Sequence, residues 1–183
     1  MSLRYPKGLS MKKLIAAAAA LVVAGVYAPF AGAHATVNLL LGQPTAASTA
    51  TWFLRVPNER ANKSTFKVTM SVPATIQQSI TVRQAPGWKV TFTREDTGQK
   101  DGEGDPIYNT TKVTWQSLPG NLIRPGMYGS FEFRFKAPST AQQLCFPVDQ
   151  VYNGATKGMA AETVSWSGPP TSATPASCVN ITA

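Results

Sequence analysis

From residue 52 onward the chain repeats one pattern: apolar residues at every second position, in short runs broken by Pro, Gly and Asn. Trp52, Leu54 and Val56 form one run, and Phe66, Val68, Met70 and Val72 a second. Ile80 with Val82, Trp88 with Val90 and Phe92, and Val113 with Trp115 continue it. Phe131, Phe133 and Phe135 alternate with Glu132, Arg134 and Lys136, and Val148 with Tyr152, Val164 with Trp166 and Val179 with Ile181 close the series. A period of two sends alternate side chains to opposite faces of a strand, so each run predicts a half-buried β-strand. Turn signals separate the runs: Val56-Pro57-Asn58, Val72-Pro73, Ala85-Pro86-Gly87, Leu118-Pro119-Gly120 and Arg124-Pro125-Gly126. Many short strands so punctuated predict an all-β fold, an immunoglobulin-like antiparallel β-sandwich. No segment reads as a helix, and no internal repeat is visible.

Two segments interrupt the pattern. Residues 94–111 are polar, from Arg94-Glu95-Asp96 to Asp101-Gly102-Glu103-Gly104-Asp105, and read as a solvated hairpin loop. Their carboxylates do not follow the ligand order of an EF-hand calcium loop. Residues 168–177, rich in Pro, Ser and Thr, are expected to form a surface loop before the last strand.

The first 33 residues read as a cleaved secretory signal peptide. Lys12 and Lys13 precede an apolar stretch over residues 14–29, and Ala31-Gly32-Ala33 supplies the small-x-small cleavage pattern. Met11-Lys12-Lys13 is the more usual opening of such a signal, which makes Met11 as well as Met1 a candidate start. The rival reading, an N-terminal membrane anchor, fits less well with a short, Ala-rich run that ends at a cleavage site. No later run approaches the roughly 18 apolar residues of a spanning helix. The mature chain, residues 34–183, is then a single domain with no membrane span, placed in the periplasm or secreted. Of 17 Lys and Arg residues, Arg4, Lys7, Lys12 and Lys13 lie in the signal, while all 9 Asp and Glu residues lie beyond it. The mature balance is therefore 13 against 9, or +4 rather than the +8 of the whole chain, too little to argue for a nucleic-acid partner. Cys145 and Cys178 are the only cysteines, and in an exported protein such a pair is expected to form a disulfide; a thiolate pair for Cu(I) is the rival reading.

Cleavage after Ala33 makes the chain's only histidine, His34, its first residue. A free α-amine and the imidazole Nδ1 of one residue can close a chelate ring on a single metal ion, and two such nitrogens suit the tetragonal preference of Cu(II). The plain alternative is that any residue can follow a signal.

The order of several segments adds to this. Ala33-His34-Ala35-Thr36-Val37 is followed by Phe53-Leu54-Arg55-Val56-Pro57-Asn58-Glu59, Pro86-Gly87-Trp88-Lys89-Val90 and Val113-Thr114-Trp115. Phe146-Pro147-Val148-Asp149-Gln150 and Val164-Ser165-Trp166-Ser167-Gly168 come next. Together they resemble the YcnI-like copper-binding domain family of exported bacterial proteins, across nearly all of residues 34–168. The resemblance implies a Cu(II) site with a single-histidine brace. His34 gives its amine and a ring nitrogen, Glu59 a carboxylate, and Trp166 sits against the metal, with Trp115 the fallback. Taken alone, Glu59 is a loop carboxylate after a Pro-Asn turn, and Trp166 is a core residue of a sandwich. The 94–111 segment and the tail from Gly168 are longer than the family pattern.

The expected function is that of a copper-binding carrier or buffer and not an enzyme. Its partners would be the copper ion and a membrane copper transporter or another copper protein. A CopC-like carrier would use further His or Met ligands, but there is no second His, and Met70, Met127 and Met159 are scattered. A copper polysaccharide monooxygenase needs a second histidine. A Ser/His/Asp hydrolase would place its base at a chain terminus, a poor position for a buried group. A non-metal adhesion or structural sandwich is the reading that follows if His34 is not the mature terminus.

Overall fold

The alternating runs assemble into two facing antiparallel sheets and a two-stranded ribbon, seen in a computed structural model that describes residues 34–153 and 160–183. The first sheet has the order β1-β2-β7-β4, formed by Thr36–Leu39, Thr49–Pro57, Tyr128–Lys136 and Thr81–Val82. The second has the order β10-β9-β3-β6-β5, formed by Glu162–Trp166, Val148–Tyr152, Thr65–Ser71, Pro106–Ser117 and Trp88–Lys100. The ribbon pairs β8 (Gln142–Phe146) with β11 (Ser177–Ile181). Among the described residues there is no α-helix, only a 3-10 turn at Ala74–Ile76. None of them forms a helix long and apolar enough to cross a membrane. The expected signal peptide lies outside the described residues.

The core is an aromatic slab between the sheets. On β2, Trp52, Leu54 and Val56 are buried and pair in register with the buried Phe133 and Phe131 and the partly buried Gly129 of β7. Trp52 stacks on Phe135 at 5.0 Å between ring centroids, and Trp115 reaches from β6 in the opposite sheet to stack on Phe131 at 5.0 Å. Each such ring contributes roughly 1.5–3 kcal/mol by burial. The ribbon adds Leu144, Phe146 and Ile181 to the same core.

Two expectations need correction. Alternation put Phe66 on the buried face of β3, yet a bulge between Thr65 and Lys67 shifts the register. Thr65 is buried instead, and Phe66 is only partly so. An extra residue on one strand reverses which parity faces inward. Residues 94–111 are not a loop but a continuation of β5 and β6, paired through Arg94↔Thr110, Glu95↔Asn109 and Asp96↔Tyr108 out to Lys100↔Pro106. Only the tip turns. There Asp101 uses its carboxylate to accept the Glu103 and Asp105 amides, which makes it a turn-forming residue. The 168–177 segment is held by its own backbone: the Ser167 and Gly168 amides donate to the Thr174 carbonyl.

Cys145 and Cys178 are joined by a disulfide, and they are direct cross-strand partners in the β8–β11 ribbon. Neither thiol is free, so the Cu(I) thiolate reading does not apply to this form of the chain.

Candidate metal centre

His34 stands just before β1, the outer strand of the first sheet. The β1–β2 register pairs Thr36 with Arg55; continued by two residues, it brings His34 level with Pro57. Trp166 ends β10, the outer strand of the second sheet. The two edge strands meet at the side of the sandwich. There the His34 imidazole and the Trp166 indole meet in an edge-type contact, with ring centroids 5.3 Å apart and planes at 65°. Trp166 is buried and His34 is partly buried, so the imidazole stays within reach of solvent.

Buried amides fix the surroundings. The Trp166 Nε1–H donates to Gln150 Oε1 at 3.0 Å, and Gln150 Nε2 donates to the Pro57 carbonyl and to Thr65 Oγ1, both at 2.8 Å. Asn58, also buried, donates through Nδ2 to the Lys63 and Ile123 carbonyls, and its Oδ1 accepts the Arg60 amide. The turn after β2 is thereby closed over Asn58. Glu59 follows Asn58 in that turn and is exposed. Its negative charge reaches Tyr152, whose phenol is pushed above its ordinary value first by burial, with Arg60 opposing and Glu59 adding to the rise. The Arg60 guanidinium lies 5.6 Å from the centre of the Tyr152 ring.

A family described as "Domain of unknown function (DUF1775)" matches residues 34–181. The chain belongs to this YcnI-like family. It is similar to the copper-binding protein CutI of Bacillus subtilis (strain 168), with 28% identity over 152 residues. That match covers 83% of this chain, and this chain spans 65% of the relative's length. Among solved structures it is similar to an uncharacterized protein from Nocardia farcinica with an immunoglobulin-like fold. The TM-score there is 0.62 at 22% identity, covering 82% of this chain and 99% of the other. The sandwich of this YcnI-like chain is therefore immunoglobulin-like.

Within it, the two tryptophans with similar sequence context part company. Trp166 touches His34, whereas Trp115 is fully buried against Phe131, between Val68 and Val90 in the sheet. Glu162, a second carboxylate near the turn, is committed elsewhere. It accepts from Arg60 Nη2 at 2.6 Å and from Lys63 Nζ, and these bonds, Lys63 first, hold it below the usual carboxylate range. Among the described residues no three His, Cys, Asp or Glu side chains are grouped to hold an ion. A metal centre at His34 would need donors of another kind, such as a backbone amine. Sequence reasoning left Gln150 and Asn58 without a role. The available signal was polarity out of place: Gln150 sits among the buried Val148, Val151 and Tyr152 of β9.

Proposed function

We propose that this YcnI-like chain is an exported Cu(II)-binding protein that buffers or delivers copper through a mature N-terminal single-histidine brace. The observation that carries the reading is the contact between His34 and Trp166 beside the Pro57–Glu59 turn. Signal cleavage after Ala33 frees the His34 amine, which with Nδ1 gives the ion two neutral nitrogens. Glu59 gives a carboxylate that offsets half of the +2 charge, and the Trp166 indole shields one side and restricts further ligands. Copper is the cargo; the chain holds it and hands it on, performing no reaction of its own. The acceptor or donor is a membrane copper transporter or another copper protein in the periplasm or outside the cell. The similarity to a protein named for copper binding supports the choice of metal.

The test is one added residue before His34. It converts the amine into an amide and moves the new amine off the chelate ring. Titration of the mature and extended proteins against a competing Cu(II) chelator is expected to show tight one-to-one binding in the first and near loss of it in the second. Equal affinity would exclude the brace.

A further inference from the structure

Resting on the copper-binding reading of His34, we propose that Gln150 is the positioning residue of the centre: its carboxamide locks the Trp166 indole and the Pro57–Glu59 turn into one fixed arrangement about His34. Gln150 is fully buried in the middle of β9, with Val68 and Val164 as its strand partners on either side. Its side chain crosses the sandwich to the Pro57 carbonyl of the opposite sheet, while its oxygen takes the Trp166 indole N–H. One side chain thus holds an element of each sheet at the place where those sheets bring His34 and Trp166 together.

The chemistry of the partners explains why a carboxamide stands here. An indole N–H can only donate, and a proline carbonyl can only accept. A group between them must accept on one side and donate on the other, which apolar residues cannot do. The same opposition fixes the orientation of the amide, since the reversed rotamer would face donor to donor and acceptor to acceptor. The second N–H is used by Thr65 Oγ1, the residue that the β3 bulge turns inward. The bulge, the buried threonine and the buried glutamine form one device. Its output is the angle of the Trp166 ring beside His34 and the place from which Glu59 extends. Partners that orient first ligands commonly change metal affinity by 10- to 100-fold when removed.

The variant Gln150→Met keeps length and volume and removes both hydrogen-bonding functions. In the metal-free mature protein, proton NMR is expected to show a change in the ring-current shift that the adjacent Trp166 indole imposes on the His34 ring protons. Cu(II) affinity in the chelator competition is expected to fall on the order of 10- to 100-fold. In a Trp166→Phe background, Gln150→Met is expected to add less than about 3-fold, because residues acting through one another are not additive. Affinity equal to the parent's, or losses that multiply fully across the two backgrounds, would overturn the proposal. Hydrogen exchange of the parent's Trp166 indole N–H needs no variant: slow exchange is expected, and exchange at the rate of a free indole would also overturn it. The failures are distinguishable. Unchanged binding in the N-terminally extended chain sinks the brace itself, whereas unchanged binding in Gln150→Met, when the extension abolishes binding, sinks only the role of Gln150.

Discussion

Two carboxylates whose charges both reach Tyr152, Glu59 and Glu162, are given different work by their neighbours. Glu162 is held by Lys63 and Arg60, and its acidity is strengthened accordingly. A carboxylate whose folded-state pKa is depressed contributes stability above its ordinary pKa, and the contribution is lost as pH falls through the folded value. Glu162→Gln is therefore expected to lower the melting temperature by roughly 1–3 °C at pH 7, as a half-exposed ion pair allows, and by progressively less as the pH falls through and below the usual carboxylate range. Its copper affinity should stay within about 3-fold of the parent's, since the residue lies outside the donor set. Glu59→Gln should behave in the opposite way. The melting temperature should change little, since Glu59 is exposed and Asn58 holds the turn through hydrogen bonds of its own. Cu(II) affinity should fall about 10- to 100-fold. Parallel thermal melts and chelator competitions on the two variants check both halves, and a swap of the two phenotypes would make Glu162 the ligand.

At the scale of the strand, the β5–β6 hairpin separates what the core needs from what it does not. Beyond Glu95↔Asn109 the hydrogen bonds stay inside the arm: Thr97 donates to the Ile107 carbonyl, and Asp96 and Asp101 accept amides of their own turn. The base is different, for the Thr110 amide donates to the Gln77 carbonyl and the Gln78 side chain donates to Asn109. Replacing residues 96–108 by Asn-Gly, a turn suited to a two-residue hairpin loop, should leave the melting temperature within about 3 °C and copper affinity within about 2-fold. A collapse of either in melting or competition experiments would show the arm to be part of the fold or of the site. The same hairpin shows why it was illegible as strand. Both of its faces meet water, so no apolar face marks the period that betrayed β2 and β7. Strand β1 was hidden for another reason: four residues with only Val37 and Leu39 apolar are too few to display a pattern. The proposed site drew on legible residues, since His34 follows an expected cleavage pattern and Trp166 stands in a recognisable segment, and the fold brings those two rings into contact. Gln150 was visible only as a polar residue among valines. Its partners lie on β2, β3 and β10, and no local pattern encodes a hydrogen bond across a sandwich.

For the molecule as a whole, the decisive fact is that the metal-binding reading depends on two edge strands, β1 and β10, which belong to different sheets. Edges are the least constrained strands of a sheet, and β1 is only four residues long. The C-terminal ribbon compensates. Ser177 at the start of β11 accepts the Val37 amide through Oγ at 2.7 Å, and Thr182 exchanges backbone hydrogen bonds with the Pro44–Ala46 turn that follows β1. The ribbon is fastened to itself by Cys145–Cys178, which closes a loop with a sequence separation of 33. A cross-link of that span is worth about 3–4 kcal/mol in the chain-entropy account. For a domain of this size that corresponds to a melting temperature about 10 °C higher than without it. The double variant Cys145→Ser, Cys178→Ser should show this drop in a thermal melt, and the parent should show no alkylatable thiol by mass spectrometry without reductant. Copper should report the same loosening more weakly. At 25 °C the variant remains folded, so its affinity should fall by no more than about 3-fold, through greater freedom of β1. If the variant melts with the parent, the ribbon is held by its hydrogen bonds and core residues alone, and the disulfide contributes nothing to keeping β1 against the sandwich.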